Sequence, residues 1–199
     1  SPLRAELRAE MHEVFTRSGA VVVYSTTEPL GALALGGHVA VLAEGRLIQA
    51  GSTLEVYHHP ASQRVGEVFS DPPMNLLEAS LGGGEASFLG GRFPLPPHLR
   101  ALPDGPYQIG VRANHVTLSP LTSGDITFQA RIELAELSGS ETYLHTRAGP
   151  SRVVGQLEGI HSLELGQDLT LHLDPRRLFA FGEGGMLAAA PPRVRAGVA

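Results

Sequence analysis

Lysine, cysteine and tryptophan are all missing from these 199 residues. All 15 basic side chains are Arg. A Walker-type phosphate loop places a Lys ammonium on the β- and γ-phosphates, so the sequence contains no such loop. Without Cys there is no disulfide, no thiolate nucleophile and no Cys-based zinc site, which fits a reducing compartment. Net charge is −5 and no basic block occurs. The electrostatic footprint of a nucleic-acid binder is therefore absent. No apolar run approaches the roughly 20 residues of a membrane-spanning helix. The first residues are charged and amphipathic, unlike a signal peptide. A soluble, cytoplasmic location is expected, with any membrane association made through a partner.

Present instead is ordinary globular composition, 42% hydrophobic and 18% charged. Such a chain forms one large or two small domains. Leu3, Leu7, Met11, Val14 and Phe15 recur at helical spacing and predict a first helix, with Pro2 in its opening turn and Ser18-Gly19 at its end. The β-branched run Ala20–Tyr24 predicts a strand covered on both faces. Ser25, Thr26 and Thr27 offer hydroxyls to cap a short helix that begins at Glu28 and Pro29 and runs through Leu35. His38–Ala43 returns as a strand. Strand, helix and strand in this order predict a βαβ unit and a parallel sheet.

Glu44-Gly45 then turns the chain into Arg46–Ala50 as a hairpin. The order Ser52-Thr53-Leu54-Glu55 matches a capping box opening a further helix. Another helix is expected over about 61–69, until Asp71-Pro72-Pro73 breaks it. The domain boundary is placed there, giving units 1–71 and 72–199. Beyond Met74 the texture changes to short strands between Gly and Pro turns: Leu76–Leu81, Ala86–Leu89, Tyr107–Val111, Ile126–Leu137, Glu141–Arg147, Arg152–Leu157 and Leu169–Leu173. Thr127 to Leu134 alternates polar and apolar, one face dry and one wet. Strands at this spacing predict a small barrel or sandwich. The Ala-, Pro- and Arg-rich end, Ala188–Ala199, reads as a loose tail.

Nine histidines invite a metal site, yet only His58 and His59 are adjacent. Adjacent helical residues point about 100° apart and chelate poorly, so no metal is expected. Gly82-Gly83-Gly84 reads as a hairpin turn, since a phosphate loop must join a strand to a helix. No G-x-S-x-G elbow is present for a nucleophilic serine.

In order, VVVYSTTEP, HVAVLAEGRLIQAG, TLEVYHHP, FSDPPMNLL, IGVRANHVTL, AELSGSETYLHTR and LGQDLTLHLDPRRLFAFGEGG resemble segments of the ATP-binding subunits of carbohydrate-type ABC importers. The resemblance covers nearly the whole chain. YSTTEP is similar to the string of a glycerol- and polyol-associated subset. The implied fold is an α/β remnant, the C-terminal part of a P-loop ATPase domain, followed by an all-β OB-like (TOBE) barrel. In the family the phosphate loop, signature motif, Mg²⁺-binding acid and catalytic Glu precede the position of Leu3. The chain is therefore expected to be a fragment. ATP and Mg²⁺ would belong to the full-length ATPase, with no cofactor bound by these residues alone.

Further expectations follow from the resemblance. Thr27 falls where the family has a His that contacts the γ-phosphate, and Glu28 at the acid after it. A threonine hydroxyl reaches less far and cannot become cationic. Gly139, Ser140 and Glu141, with Arg112 and His115, fall on loops that contact partners or small ligands. An anion at Arg112 is one such ligand. Partners would be a second ATP-binding subunit, identical or not, and transmembrane permease subunits at the inner face of the membrane. The alternative function is a free-standing OB-like regulatory protein that binds a small oxyanion or sugar.

Overall fold

The computed structural model describes residues 10–192 apart from position 12. Most of the expected first helix and the end of the expected tail lie outside these residues. Residues 13–18 are helical. Helix α1 (Pro29–Leu35) has Pro at its first positions and ends at Gly36, whose φ of 69° suits a residue without a Cβ. Strands β1 (His38–Ala43) and β2 (Arg46–Ser52) pair antiparallel. Both residues of their turn, Glu44 and Gly45, have positive φ, as a two-residue hairpin of primed type requires. The Ser52 hydroxyl caps α2 (Thr53–His58) by accepting from the Glu55 amide at 3.2 Å. Ser62 does the same for α3 (Gln63–Val68) through the Val65 amide. Val41, Val56, Val65 and Phe69 form the small core of this helix–hairpin unit.

The expected Ala20–Tyr24 strand and the parallel βαβ unit do not form among the described residues. Residues 19–24 carry no strand, Val21 is 96% exposed and Val23 92%. A strand buried on both faces needs a neighbour on each side. The sheet that contains β1 has only β2 beside it, and it is antiparallel.

From Asn75 onward the chain is β-rich. One sheet contains β3 (Asn75–Gly82), β4 (Glu85–Phe88), β5 (Gly91–Pro94), β6 (Gly105–Val111), β12 (Phe179–Phe181) and β13 (Leu187–Ala189). The other contains β7 (Val116–Thr117), β8 (Ile126–Ser138), β9 (Glu141–Ala148), β10 (Ser151–Glu158) and β11 (Asp168–Leu173). Every neighbouring pair is antiparallel. Along β8 the alternation is as expected: Ile126, Phe128, Ala130 and Ile132 point in, while Thr127, Gln129, Arg131 and Glu133 point out. A single core runs through both sheets, with Leu77, Ile109, Leu144 and Leu171 each at most 1% exposed. Asn75 nearly closes the barrel between β3 and β10. Its side chain accepts from the Val154 amide at 2.7 Å and donates to the Val154 carbonyl at 2.9 Å, as a neighbouring strand would. The architecture is thus a small α/β portion followed by a nearly closed, OB-like antiparallel barrel.

Strands β5, β7, β12 and β13 were not expected. The last of these lies partly in the stretch read as a tail: Leu187–Ala189 pairs with β12, and the Leu187 amide donates to the Ala61 carbonyl at 3.0 Å. That bond belongs to a seam between the helix–hairpin unit and the barrel. Met74, Phe179 and Phe181 are buried in it, and Gly66 of α3 packs directly on Met74 and Phe181.

Candidate functional site

Glu28 occupies the cap position of α1, where its carbonyl accepts from the Gly31 and Ala32 amides. Thr26, rather than Thr27, bonds locally, its hydroxyl accepting from the Glu28 amide at 2.9 Å. Thr27 is exposed on the turn leading into α1.

Gly139 and Ser140 form the tip of the β8–β9 hairpin, with Gly139 at φ 65°. This positive φ is what the tight turn asks of a glycine. The Ser140 carbonyl accepts from the Gly159 amide, which ties the tip to the end of β10. Glu141 is held at both oxygens: Gln156 Nε2 donates at 2.9 Å and the Tyr143 hydroxyl at 3.2 Å. Burial raises the Tyr143 pKa, and Glu141 adds to the shift, which keeps the hydroxyl a donor. Ser140 and Glu141 line a cleft of about 560 Å³ together with Asn114, Gln156, Glu158 and Leu30 of α1. Its ionisable lining is Glu141, Glu158 and His161, with no Arg.

Arg112 and His115 do not line that cleft. Arg112 closes β6 and is only 3% exposed. Its Nη1 donates to the Phe69 carbonyl at 3.0 Å and to the Ser70 hydroxyl; its Nη2 donates to the Tyr57 carbonyl at 2.6 Å. The guanidinium carbon lies 3.8 Å from the centre of the Tyr57 ring, in cation–π contact. Burial lowers its pKa and Tyr57 opposes the shift. An anion reaching Arg112 would have to displace three protein acceptors. Arg112 follows β6 outside any strand, as the resemblance implies, and its side chain turns into the seam.

His115 ends a 3-10 turn (Ala113–His115). Its Nε2 lies 3.3 Å from Arg177 Nη1. Guanidinium only donates, so Nε2 accepts and the imidazole is neutral with its proton on Nδ1. That Nδ1 is buried without a hydrogen-bond partner. Burial first, then Arg177 and Arg112, pull the His115 pKa down to about 4, against a smaller upward pull from Asp174. Asp174 is itself buried and takes both the side chain and the amide of Arg176. Tyr57, Asp174 and Arg177 were not singled out from sequence. Tyr57 lies within TLEVYHHP, and Asp174 and Arg177 within LGQDLTLHLDPRRLFAFGEGG, strings that carry the resemblance without marking these residues. No group of three or more His, Cys, Asp or Glu among the described residues could hold a metal ion.

Residues 109–181 match the TOBE domain family. They run from the end of β6 to the end of β12 and include Arg112, His115 and the Gly139–Glu141 turn. Over 147 residues, 73% of this chain, the protein is 35% identical to the xylose/arabinose import ATP-binding protein XacK of Haloferax volcanii, of which it covers 38%. Over 192 residues, 92% of this chain, it is 28% identical to the maltose/maltodextrin import ATP-binding protein MalK of Salmonella typhimurium, of which it covers 52%. Over these stretches the chain is thus similar to ATP-binding proteins of sugar import. The chain spans about half the length, or less, of these curated relatives. Among solved structures, the cytoplasmic molybdate-binding protein ModG superposes with a TM-score of 0.40 at 11% identity, covering 59% of this chain and 96% of that one.

Proposed function

We propose that this chain works as the C-terminal part of the ATP-binding subunit of an ABC importer for a sugar, glycerol or a related polyol. The observation that carries the reading is similarity running without interruption of order across the seam, over 92% of the chain, to a sugar-import ATP-binding protein. Residues 1–71 would end the nucleotide domain, and 72–199 would form the regulatory and dimerisation module. ATP and Mg²⁺ would be gripped by residues outside this chain, as the absence of any Lys requires of a Walker-type loop. A second ATP-binding subunit and a pair of permease subunits complete the machine at the inner membrane face. In this reading the Ser140–Glu141 cleft and the neighbouring loops face such partners. The two carboxylates in that cleft weigh against an oxyanion site there.

Reading the gene upstream of Ser1 tests the proposal: a phosphate loop and a signature motif are expected, and their absence overturns it. The position of Thr27 adds a kinetic expectation. A hydroxyl in place of a charge-stabilising imidazole costs on the order of 10²-fold in rate. ATPase turnover of the intact subunit should therefore rise by about that factor in Thr27→His. An unchanged rate would remove Thr27 from the catalytic account.

A further inference from the structure

Short helices leave their last carbonyls without partners, and a cation there satisfies them and complements the helix dipole. Helices α2 and α3 are six residues each. Tyr57 lies in the last turn of α2, and Phe69 is the C-terminal cap of α3. Arg112, at the end of a barrel strand, donates to the carbonyls of both. The same guanidinium also takes the Ser70 hydroxyl and lies over the Tyr57 ring. All four contacts lie before Asn75, and the cation is the only Arg that is buried among the described residues. A guanidinium can serve several acceptors in one plane because its donors form a rigid fork; a Lys ammonium is a point charge.

We propose that Arg112 is a mechanical coupler: one guanidinium anchored in the barrel fixes the C-terminal ends of α2 and α3, so that whatever holds or displaces the barrel also holds or displaces these helices. Around it, Met74, Phe179 and Phe181 supply apolar contact, and the Leu187–Ala61 bond supplies one backbone link. Neither reaches the Tyr57 and Phe69 carbonyls that Arg112 holds, although Met74 and Phe181 pack against Gly66 of α3. The proposal concerns motion within this chain and stands whether or not the importer reading is right.

Hydrogen exchange followed by mass spectrometry on the whole chain tests it. In Arg112→Met, which keeps the length of the apolar stem, amides over 54–70 should exchange tenfold or more faster, while β8 and β9 keep their protection. Arg112→Lys should recover only a minor part of the loss, since one ammonium cannot replace the fork. Uniform loss over helices and barrel would make Arg112 an ordinary core residue, and no loss would make its contacts idle; either overturns the proposal. Full recovery in Arg112→Lys would reduce the coupler to bare charge and overturn it as well. If Arg112→Met does not fold, Arg112→Gln, which keeps an amide donor and loses the fork, should show the same selective pattern at smaller amplitude. Uniform or absent change again counts against it.

Discussion

At the scale of single residues, His115 couples the barrel to pH. Burial above all keeps its imidazole neutral, and a proton on Nε2 would also set cation against cation at Arg177. Its pKa in the fold is about 4, below the ordinary 6.5 of the unfolded chain. Between those values the unfolded state binds the extra proton, so stability rises with pH across this window. The contribution is fully present above about pH 6.5 and is lost as pH falls toward 4. Its size is at most about 3 kcal/mol. Urea unfolding of the wild-type chain and His115→Gln at pH 7 and pH 4.5 isolates it. The stability difference between the two should move by about 2 kcal/mol against wild type at the lower pH. Parallel pH curves for the two proteins would mean that His115 is solvated.

At the scale of elements, patterns with a strict period were legible and contacts across the fold were not. Hairpin β1–β2, the Ser52 cap and the in-out alternation of β8 rest on neighbours within a few residues, so the sequence displays them. Ala20–Tyr24 has the composition of a buried strand, but composition cannot supply the neighbouring strands that bury it. Short strands such as β12, with all three residues buried, carry no alternation to read. The site was legible to the same extent: the Gly139–Glu141 turn announces itself through Gly, whereas Arg112 is assigned by residues 42 to 55 positions away. Gly110 shows how such distant packing constrains one strand. A Cβ there would sit 2.7 Å from Met74 Sδ and from Phe181 Cε2, and 3.2 Å from Phe179 Cβ. Gly110→Ala should therefore cost about 1–3 kcal/mol by overpacking the seam. A shift of the urea midpoint reads the cost directly, and an unchanged midpoint would show that the seam can open without penalty.

At the scale of the whole molecule, the two portions have unequal means of holding themselves together. Among the described residues the barrel core contains 22 buried residues, the helix–hairpin unit four. A unit of about fifty residues with so small a core buries too little apolar surface to offset its conformational entropy, roughly 1.5 kcal/mol per residue. Among the described residues, the further packing available to order it is the seam with the barrel. Cut between Ser70 and Met74, the chain should divide asymmetrically. A polypeptide of residues 72–192 should keep a cooperative β transition, since Asn75 and the closure it makes on β10 stay within it. It should be less stable than the whole, because Met74, Phe179 and Phe181 lose their cover and each buried side chain of that size is worth about 1.5–3 kcal/mol. Arg112 would become solvated in it rather than stranded, so its lost acceptors add less than the apolar exposure does. Residues 20–71 alone should show neither a cooperative thermal transition nor dispersed amide resonances. Circular dichroism and proton–nitrogen correlation spectra on the two pieces decide the matter. A cooperative transition in the shorter piece would show that the helix–hairpin unit stabilises itself and that the seam only positions it.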